Sequence, residues 1–253
     1  MTRTSLGVSP AGWVPLAVAA AALCYLSWVL APWVAVGSGL DPVTTYASEL
    51  AATDQPRSGF FRAGDLVAGL LVAGAAAAVL AGGARRRIGW VALLAFGIAT
   101  IGDASAPLSC APSADAACAA REAAFDVPWT HTVHVGTSVA ASVAMLIAVV
   151  ALTPLVTPLV TPMVTSRVRG GWAGGLLLLG ALGNVVGTAW TMLEVGRAVV
   201  AWPWPPLLGI AQRVQVGSAS LWLLALGVLL WQARAVRTRT GISTTEFSAT
   251  ERT

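Results

Sequence analysis

Two histidines, His131 and His134, stand three residues apart in the stretch WTHTVHVGTS. On a helix that spacing puts both on one face, and Ser138 continues it. Paired imidazoles joined by carboxylates from other helices form a donor set for a divalent metal such as zinc. One or both of Asp65 and Asp103 are the carboxylates expected to complete it. Three protein ligands would leave one position for water. The metal lowers the pKa of that water towards about 7 and makes it a nucleophile. In this reading Glu194 is the general base, Arg213 holds an anionic group, and the chain is a metal-dependent hydrolase of a lipid or amphiphile. Two other readings use the same residues. One is a structural network of Asp–Arg and Asp–His contacts. The other is a small-solute or proton-coupled transport site. Transport usually needs polar groups or broken helices at mid-depth. Only Asn184, between Gly183 and Gly187, offers that here.

The elements that would carry these residues are membrane spans. The 253 residues are 57% hydrophobic and 10% charged, with a mean hydropathy of +0.76. Soluble domains carry about 25% charged residues. Apolar stretches near the length that crosses a bilayer recur along the chain. They predict six helices, over about 13–35, 59–81, 88–108, 128–152, 172–195 and 207–232. The expectation is an all-α polytopic bundle at 13–232, a short polar start at 1–12 and an Arg-rich, disordered tail at 233–253. The first apolar run exceeds a signal-peptide core, so it is read as a retained helix. Cys24 within it reads as a small packing residue. The lipid bilayer is the expected partner. The net charge of +4 is no nucleic-acid signal, because the basic residues sit in short loops and the tail rather than in a patch interleaved with aromatics.

All fifteen basic residues are Arg. With six spans, one membrane side receives ten Arg and two Glu, and the other five Arg and nine acids. That asymmetry predicts both termini in the cytoplasm. Trp13, Trp33, Trp90, Trp129, Trp172 and Trp231 fall near span ends, as in an interfacial belt.

Asp65, Asp103, His131, His134, Glu194 and Arg213 all fall in the outer third of their spans, and the inner halves carry essentially no ionisable side chain. A charge at a helix centre costs about 2.5–3.5 kcal/mol and normally faces a cavity or another charge. The pattern predicts an outward-facing polar vestibule lined by these six residues. Cys110 and Cys118 would lie outside, where a disulfide persists. Thiolate metal binding is the alternative, although the spacing is not that of a zinc knuckle. The TPLV-TPLV-TPMV run at 153–164 has Pro at every fourth position and reads as an extended linker. A short interfacial helix carrying Ser48 and Glu49 is expected at 46–51, and Asn184 should hydrogen-bond to a neighbouring helix.

TYASELAATDQPRSGFFRAGDLVAGLL, then GDASAPLSCAP with DAAC, then WTHTVHVGTS, together resemble the domain-of-unknown-function 998 family of bacterial and archaeal multi-pass membrane proteins. The likeness covers roughly 13–232. Its strongest pieces are Ser48-Glu49-Leu50, Asp65, Asp103, Cys110 with Cys118, and His131 with His134. It implies an integral protein of a bacterial cytoplasmic membrane and supplies no reaction. A weaker similarity is to membrane hydrolases of the ceramidase and adiponectin-receptor type. Those use a histidine pair spaced by three residues late in a seven-helix bundle, whereas two residues separate the pair here, on the fourth span.

Overall fold

Long segments rich in Ala, Leu and Val can satisfy their backbone away from water only as helices. The computed structural model describes residues 11–84, 87–159, 171–200 and 206–239. The helices are α1 Val14–Cys24, α2 Ala31–Val34, α3 Ser58–Ala81, α4 Arg87–Ser105, α5 Ala116–Ala123, α6 Trp129–Leu159, α7 Trp172–Val199 and α8 Leu208–Arg239. Short 3₁₀ turns occupy Ser27–Leu30 and Ala47–Ala51, and no strand occurs among the described residues. Among the described residues six segments are long and apolar enough to cross a membrane: Val14–Val34, Ser58–Ala81, Arg87–Ser105, Trp129–Thr153, Trp172–Val199 and Leu208–Ala235. The chain is an all-α membrane bundle, as the hydropathy pattern predicts.

The spans pack in chain order as a closed ring. α1 touches α3, α3 touches α4, α4 touches α6, α6 touches α7, α7 touches α8, and α8 returns to α1. Small residues let the backbones meet. A Cβ on Gly180 would lie 2.7 Å from the Trp222 backbone nitrogen, and one on Gly187 would lie 2.7 Å from that of Gln215. Between them Gly183 faces Ser218. The expected Gly183/Gly187 contact is thus part of a longer glycine stripe of α7 on α8. Asn184 donates from Nδ2 to the Gln215 carbonyl at 3.2 Å, which is the cross-helix bond expected of it.

One end of the ring is apolar throughout. Val14, Leu93, Leu152, Leu177, Trp222 and Leu226 are buried together there. The Trp222 indole N–H donates to Thr153 Oγ1 at 2.9 Å, so the largest buried side chain leaves no polar atom orphaned. The loops at 35–57 and 106–128 gather at the opposite end.

Three expectations change. The first span is not one helix: α1 stops at Cys24, a turn follows, and the 3₁₀ segment Ser27–Leu30 leads into α2. Pro32 has no N–H to return to the Trp28 carbonyl, so a regular α-turn cannot close there. The second concerns the TPLV run. Helix α6 continues through Pro154 and Pro158 to Leu159 instead of giving way to an extended linker. Away from water a helix that loses one donor per turn still satisfies more of its backbone than an extended chain does. The rest of the run lies outside the described residues, as do 1–10, Arg85, Arg86 and 240–253. The third is that α8 extends beyond Gln232 to Arg239, and Arg234 donates to the Gly12 carbonyl.

The α7–α8 contact yields a stability test. Gly180→Val should destabilise the bundle by about 1–3 kcal/mol, since the added atoms meet backbone that cannot yield. Gly175, with nothing within 4 Å of its Cβ position, is the control. Thermal unfolding in detergent should show a lowered midpoint for Gly180→Val and an unchanged one for Gly175→Val.

Candidate functional site

The ring encloses a chamber of about 80 Å³ in the half nearest the loops. Its opening depends on the break in the first span, which turns Tyr25, Ser27 and Trp28 towards it. α3 contributes Asp65, α4 Thr100 and Asp103, α6 Ser138 and Ser142, α7 Asn184, and α8 Gln212 and Gln215. Phe61, Phe96 and Met145 supply apolar wall. The 3₁₀ turn Ala47–Ala51 forms a lid, with Ala47, Ser48 and Ala51 on the chamber side. Gln212 holds this lid by accepting from the Ala47 N–H at 2.6 Å.

The two aspartates stand in different surroundings. Asp103 accepts from Thr137 Oγ1 at 2.5 Å and from Ser138 Oγ at 2.9 and 3.0 Å. His134 Nδ1 lies 3.5 Å from its Oδ1. Asp65 has no hydrogen bond or ion pair with any described residue, and the charged group facing it is Asp103. Asn184, 1% exposed, has no partner for Oδ1, and the Trp28 indole N–H is likewise unpaired. The chamber therefore presents a bare carboxylate, an orphan amide oxygen and aromatic walls.

Of the six residues expected to line a vestibule, Asp65 and Asp103 do so and four do not. Glu194 is 1% exposed and fully engaged. It accepts from Trp190 Nε1 at 3.0 Å, Arg197 Nη1 at 2.9 Å and the Leu207 N–H at 3.0 Å, fastening the end of α7 to the start of α8. Arg213 donates to the carbonyls of Pro42, Thr45 and Gly209 at 2.9, 2.8 and 3.1 Å, and its guanidinium lies 5.9 Å from the Trp28 ring centre. Both are tie points between elements. His134 is adjacent to Asp103 and bonds through Nδ1 to the carbonyls of Asp103 and Ala106, at 3.1 and 3.2 Å. His131 is directed instead to Ser109 and Glu122. His131, His134, Asp65 and Asp103 thus do not meet as one ligand set. Among the described residues no group of three or more His, Cys, Asp or Glu is close enough to hold a metal ion.

Cys110 and Cys118 form a disulfide, with Cα atoms 6.1 Å apart. Asp115 caps the short α5 by accepting from the Ala117 N–H at 2.9 Å. Inside the stapled loop Ser113 reaches the lid. Its N–H donates to Glu49 Oε1 at 2.8 Å and its hydroxyl to Oε2. Glu49 is wholly buried, and burial pushes its carboxyl above the usual range, with the Glu122 charge adding to the effect and the Ser113 bonds opposing it. Burial likewise pushes the Tyr46 hydroxyl up to about 12. Ionisable residues inside spans were the sequence signal for the site. Glu49 lies in a loop, and the serines and amides of α6 and α8 do not ionise. The available signals were Ser138 with Ser142, and Gln212 with Gln215, at same-face helical spacing.

Six apolar spans around a polar chamber define an integral, multi-pass membrane protein. Within that class the family described as "Protein of unknown function (DUF998)" matches residues 18–229, and the chain belongs to it. No curated protein and no solved structure matches the chain.

The lid makes a pH prediction. A carboxyl whose folded-state pKa lies above its unfolded value stabilises the fold below the unfolded pKa and loses that contribution as pH rises through the folded one. The closed, buried position of Glu49 should therefore be most stable in acid and loosen as pH rises through the raised Glu49 value, with the Ser113 bonds, which favour the carboxylate, opposing the change. Hydrogen exchange at Ala47–Ala51 should accelerate over that interval beyond the intrinsic rate. Glu49→Gln should remove the extra acceleration.

Proposed function

We propose that this chain is a membrane-embedded solute-binding protein whose chamber takes a small organic cation. The observation that carries the reading is Asp65, a carboxyl on the chamber wall with no hydrogen-bond partner or counter-ion among the described residues, beside the unpartnered Asn184 Oδ1. A charge left without a counter-ion inside a span is costly, and such residues mark ligand or ion sites. An ammonium group supplies both the positive charge and the donors these two oxygens lack, and the Tyr25, Trp28 and Phe96 faces attract cations. At roughly 15 Å³ per water-sized position, the chamber has room for on the order of five such groups. The apolar packing of Leu93, Leu152, Leu177 and Trp222 beyond it offers no polar path onward. This favours binding at one face over conduction.

The same reading places the protein in a bacterial cytoplasmic membrane with both ends inside and the chamber towards the outside. The Arg asymmetry supports this orientation. A fluorescent reporter that folds only in the cytoplasm, fused after Thr253, should be bright, and alkaline phosphatase fused there should be inactive. The opposite pair would reverse the orientation.

Binding is tested with the full chain in lipid nanodiscs, using short alkylammonium ions against neutral alcohols of matched shape. The ammonium ions should raise the unfolding midpoint and the alcohols should not. Asp65→Asn should weaken binding by at least about 30-fold, because truncating one partner of a buried charge pair costs about 2–5 kcal/mol. Equal binding of the alcohols, or undiminished binding by Asp65→Asn, would sink the reading.

A further inference from the structure

At the loop end, apart from the chamber, a serine, a histidine and a glutamate stand in a chain. Ser109 Oγ is 2.9 Å from His131 Nδ1, and His131 Nε2 is 3.5 Å from Glu122 Oε1. The histidine tautomer follows from a third contact. The Ser109 backbone N–H also points at Nδ1, at 3.2 Å, and an N–H needs a lone pair to donate to. Nδ1 is therefore the bare nitrogen and Nε2 carries the proton, facing the carboxylate. A histidine so arranged can accept a hydroxyl proton on one side while its imidazolium is stabilised on the other. Here the base is Nδ1, where the more common arrangement uses Nε2.

Two further features bear on this chain of groups, the first of them shared with His134. His131 is 0% exposed, yet its Nε2 has no hydrogen bond, only the longer approach to Glu122. A buried N–H left without a bond carries a desolvation cost that a purely structural contact would relieve. The disulfide also joins the two arms of the cluster. Cys110 follows Ser109 directly, and Cys118 lies one helical turn before Glu122 on α5. Arg121 donates to Cys110 Sγ at 3.4 Å across the same gap. Ser109 itself is half-buried.

We propose that Ser109 is an activated nucleophile for acyl transfer from a carboxylic ester, with His131 as its general base and Glu122 as a positioning residue. Ser109 Oγ bonds to the acyl carbon as the bond from that carbon to the alkoxy oxygen breaks. The serine proton passes to His131 Nδ1 and from there to the departing alkoxide. Water then attacks the acyl carbon and gives its proton to Nδ1. The carboxylic acid leaves as that proton returns to Ser109 Oγ. The N–H groups of Cys110 and Ala111 donate to no acceptor among the described residues and are the donors at hand for the developing oxyanion. Phe125 and Trp129 are both strongly exposed beside this loop, at 83% and 73%, and sit where aromatic side chains meet the membrane surface. The ester class that fits is an amphiphile presented at that surface. No step involves the cation chamber, so the two sites are tested separately.

The experiment is labelling of the full chain in nanodiscs with a fluorophosphonate, read by intact mass and peptide mapping. One adduct on Ser109 is expected. Ser109→Ala and His131→Gln should abolish it. Glu122→Gln should slow it at least tenfold, and reduction of the disulfide with a dithiol should slow it similarly. Glu122→Asp should recover part of the labelling rate lost in Glu122→Gln. No adduct on folded wild-type protein, an adduct elsewhere, or equal labelling of His131→Gln would overturn the proposal. If a variant does not fold, the map of the wild-type adduct decides by itself.

Discussion

Inside a bilayer there is no water to satisfy a polar group that the protein leaves unpaired, and the architecture of this bundle follows from that constraint. At one end the described side chains are mainly apolar, and the buried Trp222 indole N–H is paired with Thr153. At the other end polar groups are numerous, and most are consumed in holding helices together. Glu194 takes three donors and Arg213 three carbonyls. Glu194 joins the end of α7 to the start of α8, and Arg213 joins α8 to the loop at 42–45. Against that background the unpaired groups stand out. Asp65, Asn184 Oδ1 and the Trp28 N–H share one chamber.

The chamber exists because packing is tight elsewhere and interrupted at one point. Glycines on α7 bring its backbone against α8, leaving no space between those two helices. The first span breaks before Pro32, and the turn and 3₁₀ segment that follow α1 set two aromatic side chains, Tyr25 and Trp28, against the chamber. Ser27 then packs on α3, where a Cβ at Gly64 would lie 2.9 Å from its side chain. Irregular backbone at membrane depth is tolerated where it lines a cavity, and this is such a place.

Much of this was legible in the sequence, because length and hydropathy alone define a spanning helix. The six spans, the polar end, the disulfide and the Asn184 contact all follow from local composition, spacing or compartment. Pairing between distant residues does not. Glu194 and Arg213 have the residue types of a catalytic acid–base and an anion clamp. Only the fold shows that the Leu207 N–H and the Pro42 and Thr45 carbonyls occupy them. His131 and His134 share a face in the coarse sense, but three residues still turn a helix through an offset of about 60°. At the mouth of the bundle that offset sends His134 towards α4 and His131 towards the stapled loop. Ser109 and Glu122 gave no signal, since a loop serine and a half-buried glutamate are ordinary residues until a histidine lies between them.

The lid links the two polar regions without merging them. Glu49 lies in the turn that covers the chamber, and its partner Ser113 lies inside the loop closed by Cys110 and Cys118. Opening the chamber by lifting that turn must either break both Glu49–Ser113 bonds or carry the stapled loop along. The second course would move the backbone next to Ser109 relative to His131, which is fixed on α6. The first leaves a buried carboxylate with no donor, a cost that falls when the carboxyl takes up a proton. Protonation thus has opposed effects. It favours the closed lid, because burial raises the Glu49 pKa, and it lowers the penalty for leaving Glu49 buried after the latch parts. The balance rests on how far water reaches Glu49 once Ser113 has left. A wetted Glu49 makes the lid open with rising pH, and one that stays dry makes it follow the disulfide loop.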